Sequence, residues 1–235
     1  LHVKAGTPYR GEAGSPSVAR IRGAAGVLGC LKLLGYKDAP GDAESHPGDP
    51  AYQAVLDGQN TLSACLDVSP GVSGYLGWEL AHLRFRRATG GGVAIGSARK
   101  GVNVRNCVSE DNGGSGFDLA TSSVVLRCEA AGNGGKGIAA GPGSLIVACR
   151  AHDNADHGVY GCGVIEGTVV YGIGASKAGI YVTGSDNAPG VVRNCTVDGY
   201  RASGSSAGVY YQNRIAVLIN TILYRCGWGV QGYSN

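Results

Sequence analysis

The 235 residues include 42 glycines interspersed with Val, Ile, Leu and Tyr, a composition that predicts many tight turns and argues against both collagen and a disordered linker. The formal net charge is only +3 and the charged residues are scattered, which argues against a nucleic-acid partner because binding one requires basic residues clustered on one face. Every apolar run is broken well before the roughly 18 residues that cross a bilayer, so no membrane span is predicted.

The first 80 residues are predicted to form irregular N-terminal coils. The chain starts with a strand-like segment, LHVKAG, and its last strand-like segment is WGVQGY. Neither has an amphipathic cap beside it, although the strand edges at the ends of a solenoid are normally covered. We therefore expect either that caps have been removed or that another copy of the chain covers these edges. The segment from about residue 22 to 58 is the least repetitive and is predicted to be a lateral loop or flap.

A repeat is clear in the middle of the chain. Three cysteines lie 21 residues apart, and a glycine follows each of them after nine residues. A fixed period of this length predicts a solenoid. The cysteine and glycine positions are predicted to be occupied, in chain order, by Leu83 and Gly92, Cys107 and Gly116, Cys128 and Gly137, Cys149 and Gly158, Val170 and Gly179, Cys195 and Gly208, and Thr221 and Gly229.

Each repeat contains two or three short β-rich runs, such as VNVRN, SVVLR and SLIVA, separated by Gly, Asn and Asp turns. An apolar residue follows each glycine, and its neighbour should point outward because side chains alternate along a strand. Units stacked about 4.8 Å apart would enclose an apolar interior. The sequence therefore predicts an all-β, single-domain protein over residues 1–235, a single-stranded right-handed parallel β-helix (β-solenoid) with coils of about 21–29 residues. The coils are predicted to be regular over residues 81–235.

The cysteines at the repeated position are predicted to form a column of small buried side chains. No CxxC motif occurs and a stacked column does not give tetrahedral geometry, so no metal site is predicted. The four cysteines outside the column are the candidates for disulfides, with the pairing open: Cys30, Cys65, Cys162 and Cys226.

Asparagines precede the cysteine position in three coils. Asn106, Asn194 and Asn220 predict a partial asparagine ladder at a bend, where Asn tolerates left-handed dihedral angles. Asn194 also begins the sequon NCT, and a ladder asparagine that is turned inward would not be glycosylated.

The stretch RAHDNADHGVYG, residues Arg150 to Gly161, is rich in chemically active side chains. It aligns without a gap with VSEDNGGSGFDL and EAAGNGGKGIAA of the preceding coils. The pair Asp153–Asn154 is therefore predicted to belong to a turn between strands. His157 and Tyr160 fall at outward positions, where the interior makes no demand and function is possible.

Three tyrosines occupy the same outward position on successive coils: Tyr160, Tyr181 and Tyr210, with Tyr211 beside the last. Such an aromatic stripe could stack sugar rings or contact another protein. It could equally stabilise the sheet by stacking between coils.

The pattern N-x-x-x-G-[VIF] after an N-C or apolar pair, together with LHVKAGTPYR, LLGYKDAPGD and AVLDGQN, resembles the right-handed β-helix repeat family, which includes pectate lyase-like enzymes and mannuronan epimerases. In a uronate lyase or epimerase the resemblance implies a cation or Ca²⁺ and acid–base groups. The candidates are Lys136, His157 and Tyr160 as catalytic residues, with Asp118 and Asp153 close by. The Asp-Pro-His and Gly-His-Gly elements of the family's enzymes are missing, and no cofactor is predicted other than Ca²⁺ in the case of a lyase.

These observations favour an extracellular or cell-surface structural or adhesive β-solenoid. It would associate with other copies end to end as filaments, and contact glycans through Tyr160, Tyr181, Tyr210, Asp118 and Asp153. The alternative is a lyase or epimerase acting on uronate polysaccharides. A second alternative is a non-catalytic carbohydrate-binding module.

Overall fold

Short β-rich runs bounded by glycine and asparagine turns fold into strands that pair, in parallel, with the equivalent strands of neighbouring coils. The computed structural model describes residues 1–11, 15–21, 31–47, 49–68, 74–95, 99–172, 177–183, 190–200, 206–212 and 216–233. Within these residues, nine coils follow one another, and each contributes one strand position to each of three faces.

The first face consists of the strand that opens each coil. Its strands are His2–Lys4, Lys32–Tyr36, Gly74–Ala81, Arg99–Arg105, Val124–Leu126, the second halves of Ile138–Val147 and Val159–Glu166, Gly190–Arg193 and Ala216–Ile219. The second face is a separate sheet of nine strands: Tyr9–Arg10, Ala54–Asp57, Leu83–Arg86, Val108–Glu110, Glu129–Ala131, Arg150–His152, Val169–Tyr171, Thr196–Asp198 and Ile222–Tyr224.

The third face closes each coil. Its strands are Ser17–Ile21, Ala64–Val68, Gly91–Ala94, Phe117–Leu119, the first halves of Ile138–Val147 and Val159–Glu166, Ile180–Thr183, Ala207–Gln212 and Trp228–Tyr233. The first and third faces form one continuous sheet because the two long strands run through the corner between them. The predicted parallel β-solenoid is confirmed.

The loop predicted at about 22–58 is shorter than expected. Lys32–Tyr36 and Ala54–Asp57 are strands of the first and second faces. The excursion between them contains two 3-10 helices, Asp42–Ser45 and Pro50–Tyr52. Residues 22–30 lie outside the described part of the chain. No helix among the described residues is long and apolar enough to cross a membrane.

The interior is built from inward side chains that stack coil upon coil. On the third face Phe117 pairs with Ile138, Ile138 with Val159 and Val159 with Ile180, and all four side chains are fully buried. Such stacking removes apolar surface from water, which stabilises the fold by about 25 cal/mol for each Å² buried. The core therefore extends along the solenoid axis as one continuous column.

The glycine at the repeated position is required by close approach between coils, except at Gly229, where a Cβ would make only an ordinary contact. A Cβ on Gly137 would lie 2.5 Å from the carbonyl oxygen of Gly158, and one on Gly116 would lie 2.8 Å from the carbonyl oxygen of Gly137. Real Cβ atoms are not found so close to backbone atoms, so any larger residue would push the coils apart.

The cysteine column is confirmed, with one correction. Cys107, Cys128 and Cys149 precede strands that pair in register on the second face, and all three are buried. In the next coil this position is taken by Thr168 and not by Val170, which instead pairs with Ala151. The cause is a coil that is two residues shorter: Arg150 pairs with Val169, whereas Glu129 pairs with Arg150.

The prediction of disulfides is wrong for two of its four candidates. Cys65 and Cys226 are free thiols, and Cys65 is fully buried. Burial raises the pKa of the Cys65 thiol to about 12, which makes this thiol unreactive. Cys30 and the side chain of Cys162 lie outside the described residues.

A buried asparagine ladder exists, but in a different turn from the one predicted. Asn112, Asn133 and Asn154 are buried, and the Nδ2 groups of the first two each donate to the Oδ1 of the next asparagine at 2.9 Å. Of the predicted set, only Asn220 Nδ2 donates to Asn194 Oδ1, at 2.9 Å and at the surface. Asn194 is exposed, so the expectation that it is turned inward is wrong.

Candidate functional site

The tyrosine column lies on the outer surface of the third face. Tyr160, Tyr181 and Tyr210 are direct partners across three coils because the inward residues before them pair in register. The rings of Tyr160 and Tyr181 are 5.0 Å apart at 20°, and those of Tyr181 and Tyr210 are 4.8 Å apart at 22°. All three side chains are half-buried.

The stacking determines what the column presents to a ligand. Because each ring covers the face of the next, the surface displays ring edges and hydroxyl groups. Face-on stacking of a sugar, one of the possibilities that the sequence left open, is therefore excluded between the rings of the column. One hydroxyl already shows hydrogen-bonding capacity, since Tyr181 donates to Gln212 Oε1 at 2.6 Å.

Lys136 covers the first ring of the column. It lies one coil before Tyr160, and its Nζ is 4.0 Å from the centroid of the Tyr160 ring, which is a cation–π contact. This end of the column therefore carries a positive charge. Two polar residues near the tyrosine column were not predicted from the sequence. Gln212 accepts the hydrogen bond from Tyr181, and Lys177 forms an ion pair with Asp156 at 3.6 Å.

His157 supports the column from the side. Its ring centroid lies 4.6 Å from that of Tyr181 and 5.8 Å from that of Tyr160. Its Nδ1 accepts the Ala178 N–H at 3.0 Å, and its Nε2 lies 3.5 Å from Asp156 Oδ1. Both ring nitrogens thus face protein groups, and the side chain is only 12% exposed. This arrangement suits a positioning residue better than a proton-transfer group.

The surroundings of His157 disfavour its charged form. Burial lowers the pKa of the imidazole, and the nearby Lys177 and Lys136 lower it further, while Asp156 opposes the shift. The ring is therefore neutral at neutral pH.

Asp118 occupies the same outward column two coils before Tyr160, with Ala139 between them. Partial removal of its carboxyl group from water raises the pKa of Asp118, and the charge of Lys136 partly offsets the rise. Asp118, Lys136, Tyr160, Tyr181 and Tyr210 thus follow one another along the third face, over four coil spacings of about 4.8 Å each.

Asp153 does not join this group. It lies at the end of the second-face strand, where its Oδ2 is 2.8 Å from His152 Nδ1. His152 Nε2 is 2.9 Å from Glu129 Oε1, and its ring stacks on Tyr171 at 4.7 Å. The structure thus brings together all the predicted site residues except Asp153. Among the described residues, no group of three or more His, Cys, Asp and Glu side chains is arranged to hold a metal ion.

A parallel β-solenoid with one elaborated outer face is the architecture of β-helix proteins. The sequence profile of the family described as right handed beta helix region matches residues 71–222, and the chain belongs to this family. Among solved structures, the A-module of mannuronan C-5 epimerase AlgE4 from Azotobacter vinelandii is similar, with 15% identity and a TM-score of 0.50 over 99% of this chain and 88% of that chain. At this identity the likeness supports the fold alone. A comparison with curated protein sequences gives no match.

Proposed function

We propose that the protein binds a polysaccharide along its third face. The observation that carries this proposal is the tyrosine column, in which three stacked rings present hydroxyl edges at the coil spacing. Hydroxyl groups repeated about every 4.8 Å suit a linear polymer that repeats its own hydroxyl groups, because the same hydrogen bond is then made several times. The half-buried rings are held by their neighbours, so little side-chain entropy is lost on binding.

The charges on this face favour a polysaccharide that carries carboxylates. The Lys136 ammonium lies at one end of the column. The raised pKa of Asp118 makes the nearest carboxyl group easier to neutralise, which reduces repulsion of an anionic sugar. The structurally similar A-module is named as a mannuronan epimerase, and this makes polymannuronate the first probe to use.

The test compares two tyrosines of the same coil. Tyr181→Phe keeps the ring stack but removes one hydroxyl, and the loss of one neutral hydrogen bond should weaken polymannuronate binding about threefold to tenfold. Tyr171→Phe is the matched control, because Tyr171 is half-buried, stacks on His152 and points outward on the second face. Isothermal titration calorimetry or affinity electrophoresis gives the dissociation constants.

Charge dependence provides the second arm of this test. Lys136→Gln should weaken binding to polymannuronate and leave binding to a neutral glucan unchanged, and added salt should reproduce the effect in the wild type. Equal losses for Tyr181→Phe and Tyr171→Phe, or the absence of binding to every acidic and neutral polymer in the panel, would overturn the proposal.

A second candidate function is an epimerase or lyase acting on uronate polymers, and Asp118 favours it. A carboxyl group with a raised pKa beside a lysine is suited to donating a proton near a substrate carboxylate. Ultraviolet absorbance of unsaturated uronate, or NMR of the sugar composition, detects either activity. Asp118→Asn should abolish turnover while His157→Ala reduces it less, and Ca²⁺ should be included because a lyase of this family would use it. Binding without turnover supports the carbohydrate-binding module instead.

The remaining parts of the proposal concern location and assembly. An extracellular or cell-surface position would place the protein with polysaccharides, and a structural or adhesive role would follow from association of copies through the coil ends. Electron microscopy tests this association through particle length, because monodisperse short particles at high concentration contradict it.

A further inference from the structure

The outer surface of the first face carries aliphatic side chains where a free solenoid surface would carry polar ones. Five consecutive coils place Val124, Leu145, Val164, Val191 and Val217 in one outward column, because these residues are direct partners in the sheet. All five are at least partly exposed.

A second outward column runs beside the first, two residues further along each strand. In order of coils it contains Leu126, Val147, Glu166, Arg193 and Ile219. We call the eight aliphatic residues of the two columns the aliphatic stripe. Single exposed apolar residues are common, but a contiguous patch marks an interaction surface.

The two charged residues within the stripe indicate which partner fits it. Glu166 and Arg193 lie on adjacent coils and form an ion pair at 2.7 Å. A two-fold axis parallel to the strands, placed between these two coils, would put Glu166 of one copy opposite Arg193 of a second copy, and the reverse. The charges of this surface are therefore complementary to themselves.

The same axis also matches the aliphatic residues. Because it reverses the order of coils but keeps the position along each strand, Val164 would face Val191 of the second copy. Leu145 would face Val217, and Val147 would face Ile219. Every position of these four coils thus meets a residue of the same or complementary character, as an isologous interface requires.

We infer that the first face is a self-association surface, on which two copies pack sheet against sheet as a two-fold dimer. The inference goes beyond polysaccharide binding, since it uses a different face. It also differs from association through the coil ends. The matched surface is only four coils long and two outward positions wide. Its area is therefore smaller than the roughly 800 Å² that each partner buries in a standard stable interface. The dimer is therefore weak and depends on protein concentration.

Sedimentation velocity and light scattering of the purified protein over a wide concentration range test the inference. The wild type should shift from monomer to dimer as concentration rises. Val164→Glu should raise the dissociation constant at least tenfold, by about 1.4 kcal/mol or more, because a carboxylate would be buried without a partner. Val169→Glu is the matched control: Val169 lies in the same coil, points outward on the second face and is 41% exposed, and its variant should dimerise like the wild type.

A charge-exchange experiment tests the proposed axis itself. Glu166→Arg alone and Arg193→Glu alone each bring like charges together across the interface, so each variant should stay monomeric. An equal mixture of the two variants restores opposite charges at both contacts and should form a heterodimer, although the ion pair within each copy remains broken. Circular dichroism confirms that every variant is folded.

Three outcomes would overturn the inference. The wild type stays monomeric at the highest concentration that remains soluble. Val164→Glu and Val169→Glu dimerise equally well, which places the interface elsewhere. The mixture of the two charge variants stays monomeric, which excludes the proposed two-fold axis.

Discussion

His152 and His157 lie in the same coil, five residues apart, yet they belong to two different regions of the surface. His152 ends a strand of the second face, where its ring stacks on Tyr171 and its two nitrogens contact Glu129 and Asp153. His157 follows the next turn and packs against the tyrosine column of the third face.

The two environments favour opposite protonation states. Burial alone would lower the pKa of His152, but the hydrogen bonds and charges of Glu129 and Asp153 outweigh it and raise the pKa. Burial lowers the pKa of His157, and two lysines add to the effect. A protonated imidazole is thus favoured on the second face and a neutral one on the third.

The buried asparagine ladder separates these regions. Asn154 lies between the two histidines in sequence, and its side chain turns into the interior, where it donates to the Ala130 carbonyl oxygen at 3.0 Å. Its Oδ1 accepts the backbone N–H and the Nδ2 of Asn133, at 3.1 and 2.9 Å. A polar stretch of sequence can therefore be two surfaces divided by a structural turn, and not one reaction centre.

The largest effect on stability is expected from a substitution that breaks the asparagine ladder. Asn154→Ala removes the acceptor of the Asn133 backbone N–H and of one Asn133 Nδ2 hydrogen, and it removes a donor to the Ala130 carbonyl oxygen, which should lower the free energy of unfolding by about 3 kcal/mol. The pKa of His157 should also return towards its ordinary value as the turn loosens. Urea unfolding and NMR titration measure the two effects.

Asn103→Ala is the control for this change. Asn103 is an exposed asparagine on the first face, and its replacement should cost less than about 0.5 kcal/mol. Equal costs for the two variants would mean that the ladder does not hold the turn.

The features that repeat from coil to coil could be predicted from the sequence. Cys107, Cys128 and Cys149 occur at equal intervals because each coil presents the same inward position, and the three tyrosines fall in one column for the same reason. The position of Thr168 could not be found in this way. Counting a period does not detect a coil that is two residues shorter when Val170 also suits a buried position.

The geometry of the site depends on side-chain contacts that the spacing of residues in the sequence does not reveal. The spacing of the tyrosines indicates which residues share a column, but the side-chain torsions decide whether ring faces or ring edges meet the solvent. Asp153 aligned with the turn as predicted, yet the turn at Asn154 leaves Asp153 beside the second face and Tyr160 on the third. The alignment of Asn112, Asn133 and Asn154 was visible in the sequence and is the signal by which the ladder could have been found.

The pH dependence of stability sharpens the comparison between the histidines. The contribution of His152, whose folded-state pKa is raised, is fully present below about pH 6.5 and is lost as the pH rises through the folded-state pKa. His152→Gln should therefore cost about 1 kcal/mol at about pH 6 and less in alkaline solution.

His157→Gln should change the pH profile in the opposite direction. The folded-state pKa of His157 is lowered, so the contribution of the neutral ring is present above about pH 6.5 and is lost as the pH falls through the folded-state pKa. Urea unfolding of both variants across the pH range compares the two slopes. If both substitutions changed the pH dependence of stability in the same direction, the pKa values of the two histidines would not be shifted in opposite directions.

The smallest effect on stability is expected from replacing Lys136. This change should alter pKa values on the third face and leave those on the second face unchanged. Lys136→Met keeps the apolar stem but removes the ammonium over the Tyr160 ring, which should cost about 0.5 kcal/mol. The same charge lowers the pKa of both Asp118 and His157, so both pKa values should rise in the variant. The pKa of His152 should not move, because its partners are Glu129 and Asp153 across the ladder. NMR titration measures all three groups in one sample, with Lys4→Met, an exposed lysine of the first coil, as control. A shift of His152 as large as that of His157 would show that the two surfaces share one electrostatic environment.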